Sequence, residues 1–78
     1  MDFRVLVATA KSSKYHMSRW KFYQEVDGTF TICHETNGTK YYRKSVKDLL
    51  DSLKWWGSKG YTITRWASEE ELTSRANA

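Results

Sequence analysis

The segment VDG, residues 26–28, separates two stretches in which apolar and polar residues alternate. Such alternation predicts two β-strands, and the glycine predicts a tight turn between them. A two-residue turn would place Phe30 opposite Glu25 and divide the apolar residues between both faces of the sheet. A three-residue loop pairs Glu25 with Thr29, puts Gly28 in a left-handed conformation, and is the predicted register. One face then carries the large apolar residues Trp20, Phe22, Phe30 and Ile32.

Three further segments have strand character. Residues 3–9 (FRVLVAT) are rich in β-branched residues, and the polar stretch KSSKYHMS after them predicts a loop. The Asn-Gly pair at 37–38 predicts a second hairpin into TKYYRK, with a two-residue turn that places Glu35 opposite Lys40. Residues 61–66 (YTITRW) predict the last strand.

Ser45 is predicted to begin a helix, because its hydroxyl can cap free backbone N–H groups and Asp48 has the capping-box spacing. Gly57 or Gly60 is predicted to end this helix in a left-handed cap. Ser68, followed by three glutamates, predicts a short C-terminal helix with acidic residues at its N-terminus. The first helix has one apolar stripe with i, i+3, i+4, i+7 spacing, formed by Val46, Leu49, Leu50, Leu53 and Trp56.

The two adjacent tryptophans of this helix have different expected roles. Trp56 lies on the apolar stripe and is predicted to be buried. Trp55 lies near the opposite side of the helix, so core packing does not account for it. Either Trp55 packs under the C-terminal segment, or it is an exposed anchor for a partner, since tryptophan is enriched in interface hot spots.

Together these elements predict an α+β protein with a four- to five-stranded antiparallel sheet, one helix packed on one face and a short C-terminal helix. Residues 1–78 are expected to form a single domain, in which residues 67–78 are a short helical tail. A chain of 78 residues buries only about 60% of its unfolded surface, so its core is thin. The sheet face away from the helix is predicted to be largely open.

The charge distribution indicates the class of partner. The net charge is +4, and residues 67–78 carry three glutamates and one arginine (−2), which leaves +6 for the rest of the chain. A basic body favours an anionic partner, such as nucleic acid, a nucleoprotein or an acidic protein surface. The chain has neither an apolar run of transmembrane length nor a signal-peptide pattern, so no membrane association is expected. The single cysteine, Cys33, predicts a reducing, cytosolic setting.

The sequence contains no motif typical of catalysis or cofactor binding. Cys33 and His34 are neighbours on a predicted strand and point to opposite faces, and His16 lies in a predicted loop. We therefore expect no metal and no cofactor. A small RNA-cleaving toxin, with His34 or His16 as general base beside Glu35, is an alternative function. The simpler interpretation places His34 at the edge of the core.

The open sheet face is the candidate binding site. Interleaved basic and aromatic residues suit single-stranded nucleic acid, where rings stack on bases and cations meet phosphates, and they equally suit a protein interface. The alternative is a solvated face whose aromatics serve strand propensity. The face is expected to carry Arg19, Lys21, Tyr23, Thr31, Cys33 and one residue set from Tyr41, Tyr42, Arg43 and Lys44, while Trp55 and the loop residues Lys11 and Lys14 complete the candidate set. The pattern leaves open which of Tyr41 and Tyr42 faces inward.

The layout of the whole chain resembles that of a small phage-encoded type I-F anti-CRISPR protein. The likeness lies in the length, an MDF strand running into ATAK, the glycine turns VDG and NG, the helix SVKDLLDSLKWW ending in GSKG, and the polar tail EEELTSRANA. It implies a non-catalytic inhibitor that binds the protein backbone of a CRISPR surveillance complex and blocks target pairing. The resemblance assigns no binding residue, so the open face is the chain's own candidate.

These observations favour a non-enzymatic binding protein, encoded by a phage or mobile element, that inhibits a host protein or nucleoprotein complex. A nucleic-acid-binding protein is the first alternative, and a small RNA-cleaving toxin is the second. The sequence does not determine the partner, the host or the oligomeric state.

Overall fold

Seven elements follow one another in the order β-β-β-β-α-β-α, which confirms the predicted α+β architecture. They belong to a computed structural model that describes residues 4–12, 14 and 18–77. The elements are β1 Val5–Ser12, β2 Arg19–Gln24, β3 Phe30–His34, β4 Lys40–Arg43, α1 Val46–Ser58, β5 Tyr61–Arg65 and α2 Glu69–Ala76. Phe3, the predicted start of the first strand, and His16 of the predicted loop lie outside the described residues.

The turn between β2 and β3 has the predicted three-residue form. The Glu25 N–H donates to the Thr29 carbonyl at 2.8 Å, and the Gly28 N–H donates to the Glu25 carbonyl at 3.0 Å. Gly28 has a φ of +89°, the left-handed conformation that the loop requires. Phe22 consequently lies opposite Ile32, so the predicted register of this hairpin is confirmed.

The five strands form one antiparallel sheet in the order β4-β3-β2-β1-β5. Lys11, which was predicted to lie in a loop, belongs to β1 and pairs with Arg19 on one side and Thr62 on the other. The strand extends past its predicted end at Thr9, because β2 and β5 both bond to it and satisfy its polar backbone groups. Lys11 is thereby fixed on the sheet.

The second hairpin differs from its prediction. Lys40 lies opposite Cys33 instead of Glu35, and the His34 N–H donates to the Thr39 carbonyl at 2.8 Å, which leaves a four-residue loop. The His34 side chain explains the longer loop, because its Nδ1 accepts hydrogen bonds from the N–H groups of residues 36 and 37, each at 3.2 Å. The register differs from the predicted one by two residues, an even number, so Lys40 still lies on the same face as Cys33.

Helix α1 begins and ends as its capping residues predict. The Ser45 hydroxyl accepts a hydrogen bond from the Asp48 N–H at 3.1 Å. Gly60, with a φ of +96°, follows the last helical turn, whereas Gly57 lies within the helix. The predicted stripe is confirmed, since Leu49, Leu53 and Trp56 are buried and Val46 and Leu50 pack against the core.

Helix α2 closes the core at one end of the inner sheet face, the face that α1 covers. Its N-terminus has the predicted capping box between Ser68 and Glu71. Leu72 is buried, and its carbonyl accepts a hydrogen bond from Gln24 Nε2 at 3.0 Å. The buried apolar residues are Val7, Ala8, Ala10, Phe22, Phe30, Ile32, Leu49, Leu53, Trp56, Ala67 and Leu72.

Gly28 also lies directly beneath the end of α2. A Cβ at this position would approach the Cα of Ala76 to 2.9 Å, which is closer than atoms pack, whereas a Cβ at Gly38 would meet nothing within 4 Å. Both glycines have positive φ.

We expect Gly28→Ala to destabilise the fold more than Gly38→Ala. Each substitution costs about 1–2 kcal/mol for a side chain in the left-handed region, and only the first also forces α2 to move. Urea unfolding of both variants measures the difference. Equal midpoints would show that the contact with Ala76 contributes nothing.

We expect Trp56→Ala to lower the free energy of unfolding by about 3–5 kcal/mol, because its buried ring packs at 5.5 Å from Trp20 and 5.4 Å from Phe22 between centroids. Trp55→Ala is the matched control, since this ring is 53% exposed and its loss should cost about 1 kcal/mol or less. Chemical denaturation compares the two. A similar loss in both would contradict the assigned helix face.

Candidate functional site

The outer face of the sheet, opposite α1, carries the predicted cationic site. Because Phe22 points into the core, its neighbours Lys21 and Tyr23 point outward, as predicted. Cross-strand pairing then places cations from β1, β2 and β4 on this face, with β3 between β2 and β4. We call the group Lys11, Arg19, Lys21 and Lys40, with the outward ring of Tyr42, the basic face.

Two cations of the basic face stand directly opposite each other. Lys11 on β1 pairs with Arg19 on β2, and both side chains are exposed. Like charges in this arrangement destabilise a sheet. Within residues 4–12, 14 and 18–77, neither side chain takes part in an ion pair. On the other side of Arg19, Glu35 is its neighbour on β3, because the Glu35 N–H donates to the Arg19 carbonyl at 2.9 Å, and the Glu35 carboxylate forms its ion pair with Lys21. The positive charge of the Lys11–Arg19 pair is therefore only partly compensated.

The positive charge of Lys21 is better compensated than the charges of Lys11 and Arg19. Its Nζ lies 3.8 Å from Glu35, and both side chains are more than a third exposed, so the ion pair is worth well under 1 kcal/mol. Lys40 is exposed at the edge strand, opposite Cys33. Lys14 and Lys44 are also exposed, and they lie in the connections that follow β1 and β4.

The part of the outer face around Tyr23 is not open, which corrects one expectation. The Arg4 guanidinium lies 4.4 Å from the centroid of the Tyr23 ring and forms an ion pair with Glu25. Thr31, expected on the open face, is only 4% exposed and donates its hydroxyl proton to Glu25. Tyr23 thus belongs to a small packed cluster, and its removal should affect folding as well as binding.

Strand β4 divides the remaining predicted residues between the two faces. Tyr42 lies opposite Thr31 on the outer face and is 67% exposed. Tyr41 points inward and stacks on Trp20 with 5.6 Å between the ring centroids. Arg43 also points inward, and its Nε donates to the Ser52 hydroxyl at 2.7 Å. Tyr41 and Arg43 are therefore removed from the outer-face candidate site.

On the inner side, a groove of about 600 Å³ lies between α1 and the sheet. Trp55 is one of its walls and is exposed, so it is not buried under the C-terminal segment, and its role as an anchor for a partner stays a prediction. We call this feature the aromatic groove. It is lined by Trp20, Tyr41, Trp55, Trp56 and Tyr61, together with Arg43, Asp48, Asp51 and Ser52.

The sequence reasoning missed this groove. Trp20 was assigned to the apolar face of the sheet, Trp56 to the core, Asp48 to a helix cap and Tyr61 to the last strand. The sequence already indicated one part of the groove, since Asp48, Asp51 and Trp55 at i, i+3 and i+7 share one side of a helix. Helical spacing alone does not show that the sheet places further rings opposite that side.

Cys33 and His34, the described members of the candidate metal set, point to opposite faces of the sheet. Cys33 lies opposite Lys21 on the outer face, whereas His34 lies opposite Trp20 and packs on its ring at 4.7 Å. Among the described residues, no three potential ligands of the His, Cys, Asp or Glu type come together. In the same part of the chain, neither helix is long and apolar enough to cross a membrane.

The cluster around Glu25 gives the protein a predicted acid sensitivity. The hydrogen bond from Arg4, followed by that from Thr31, lowers the pKa of Glu25 below its ordinary value. A carboxylate with a lowered folded pKa stabilises the protein above its unfolded pKa of about 4.3, and this contribution is lost as the pH falls through the folded value.

We therefore expect Glu25→Gln to unfold with a weaker dependence on pH between neutral pH and about pH 3 than the wild type. The matched control is Glu70→Gln, on an exposed residue of α2 outside this cluster. Urea midpoints measured across this range provide the comparison. An unchanged slope for Glu25→Gln would show that the Arg4 contact does not contribute to stability.

Neither a protein-family model, nor a curated protein, nor a solved structure matches this chain. The resemblance to a type I-F anti-CRISPR protein therefore stays a prediction from the layout of the sequence. The functional argument depends on the geometry and the charges of the basic face and the aromatic groove.

Proposed function

We propose that the chain is a non-enzymatic binding protein whose basic face docks on an anionic surface of a host protein or nucleoprotein complex and inhibits it. The observation that carries this proposal is the exposed pair of Lys11 and Arg19, neither of which forms an ion pair within the described part of the chain. The repulsion between these cations lowers the stability of the free protein. A carboxylate or phosphate bound between them removes this repulsion, so the binding free energy becomes more favourable by the energy that the repulsion had cost the free protein.

The rings of the outer face favour an acidic protein surface over stacked bases. Tyr42 is exposed there, whereas the ring of Tyr23 is covered by the Arg4 guanidinium. Sheets that bind single-stranded nucleic acid present several free rings on neighbouring strands. An inhibitor that occupies an acidic protein surface agrees with the anti-CRISPR-like layout. Its proposed setting is the cytosol of a host cell, where the single Cys33 stays reduced.

Nucleic-acid binding is the second candidate, and the length of the cationic row supports it. Lys21 and Lys40 extend the positive charge from Lys11 and Arg19 over the four strands β1 to β4, with Cys33 of β3 between Lys21 and Lys40. A row of this kind suits successive phosphates of a backbone. The RNA-cleaving toxin receives less support, because the Nδ1 of His34 already accepts backbone hydrogen bonds and its ring packs on Trp20.

The test is capture of a partner from bacterial host lysate with the double variant Lys11→Glu and Arg19→Glu. This charge reversal keeps two like charges opposite each other, so stability should change little while binding falls by about 30-fold or more. The matched control is Lys47→Glu with Lys54→Glu, which makes the same charge change on exposed residues of α1.

Capture of one protein complex that resists nuclease, is lost in the first variant and is kept in the control supports the proposal. Capture that nuclease abolishes, with log affinity for a single-stranded oligonucleotide falling by about 0.7 per phosphate contact against log salt, supports the second candidate instead. If both variants capture the partner as the wild type does, the basic face is not the site.

A further inference from the structure

The aromatic groove has walls of two different kinds. From α1 come Asp48, Asp51 and Trp55, on successive turns of one side of the helix. From the sheet come Trp20 and Tyr41, which stack on each other. The groove volume of about 600 Å³ lies within the range of small-molecule sites and admits a group the size of an amino-acid side chain.

The rings of the groove form one continuous surface. Trp55 packs edge-on against Trp56 at 5.0 Å, and Trp56 packs against Trp20 at 5.5 Å and Tyr41 at 6.2 Å between ring centroids. Core packing accounts for Trp56, which is 4% exposed, but not for Tyr41 and Trp55, which are 44% and 53% exposed. Large rings held around an open groove have the composition of a ligand site.

The charges of the groove select a positive ligand. Neither Asp48 nor Asp51 takes part in an ion pair among the residues that the structure describes. Arg43, the cation of the lining, is held by other groups, since its Nε donates to Ser52 and its Nη1 donates to the Tyr42 carbonyl, each at 2.7 Å. Two carboxylates against one arginine leave the lining with a formal charge of −1.

We propose that the aromatic groove binds an organic cation, a guanidinium or alkylated ammonium group. The negative faces of aromatic rings attract such cations, and nearby carboxylates add charge without replacing the apolar contact. The ring of Trp55 already attracts one ammonium group, because Lys59 Nζ lies 5.5 Å from its centroid. The cation is carried by a side chain of a partner protein or by a free small molecule. The rings and carboxylates of the groove recognise both in the same way.

This site is independent of the proposed function of the basic face. The basic face presents cations on the outer side of the sheet, whereas the groove presents carboxylates and rings on the inner side. A variant that loses one activity should therefore retain the other, and Lys11→Glu with Arg19→Glu should still bind the cation.

The test is a titration of the wild-type protein with N-acetylarginine amide and with its neutral isostere N-acetylcitrulline amide, followed by calorimetry and by the indole N–H signals in NMR spectra. We expect the arginine amide to bind about 10-fold more tightly, since the citrulline amide keeps the shape of the side chain but lacks the charge that the rings and carboxylates attract. The indole signals of Trp20, Trp55 and Trp56 should shift. Trp66, which does not line the groove, serves as the internal reference.

Two variants separate binding from folding. Asp51→Asn removes one charge, and Trp55→Ala removes one exposed wall. Each variant should lower the affinity for the arginine amide by about 10-fold, while the unfolding midpoint changes little. Glu70→Gln, outside the groove, is the charge-matched control and should bind as the wild type does.

Tetramethylammonium and guanidinium ions distinguish the two sources of the cation. If these ions bind as tightly as the arginine amide, a free small molecule is sufficient; if the amide and a longer arginine peptide bind more tightly, a partner side chain is the ligand. Equal affinity for the arginine and citrulline amides, unchanged binding by Asp51→Asn, or indole shifts at Trp66 alone would each overturn the proposal.

Discussion

The left-handed backbone at Gly28 is the constraint on which most of the structure depends. It closes the three-residue loop that pairs Glu25 with Thr29, and this pairing assigns every side chain of β2 and β3 to one face of the sheet. The missing side chain also leaves room for Ala76 at the end of α2. One backbone conformation therefore determines both the inner face of the sheet and the place where the second helix packs.

The inner face is covered unevenly, and its chemistry follows from this. Helix α1 is fixed by Leu49, Leu53 and Trp56, and α2 covers the end near Gln24. Along the other side of α1 the rings remain half-exposed around a groove. In a chain of this size the core is thin, so the same aromatic cluster both joins the helix to the sheet and lines the groove for which we propose a ligand.

The two sides of the sheet differ in the charge that they present. On the outer side, Lys11 and Arg19 repel each other in the free protein, and an anion relieves that repulsion. On the inner side, Asp48 and Asp51 face a groove lined by rings, where a cation gains both charge and apolar contact. The sheet separates these surfaces, so the two proposed binding sites have opposite charge preferences.

Local sequence patterns determined the faces of the strands, the apolar stripe of α1 and the caps at Ser45 and Ser68, because each depends on neighbours within a few residues. They also predicted the loop at Gly28, where turn chemistry and the apolar pattern agree. The predicted two-residue turn of the second hairpin was wrong. The side chain of His34 accepts hydrogen bonds from the loop backbone and favours a longer loop than the Asn-Gly pair predicts.

Only the tertiary structure decided which face Tyr41 occupies, that Arg4 covers Tyr23, and that the two aspartates of α1 share a groove with rings from the sheet. The physical reason is that the periods of 2.0 and 3.6 residues define faces within one element. They do not specify the direction in which a helix crosses a sheet, or which distant side chain covers a strand. These are set by the packing of all the elements together.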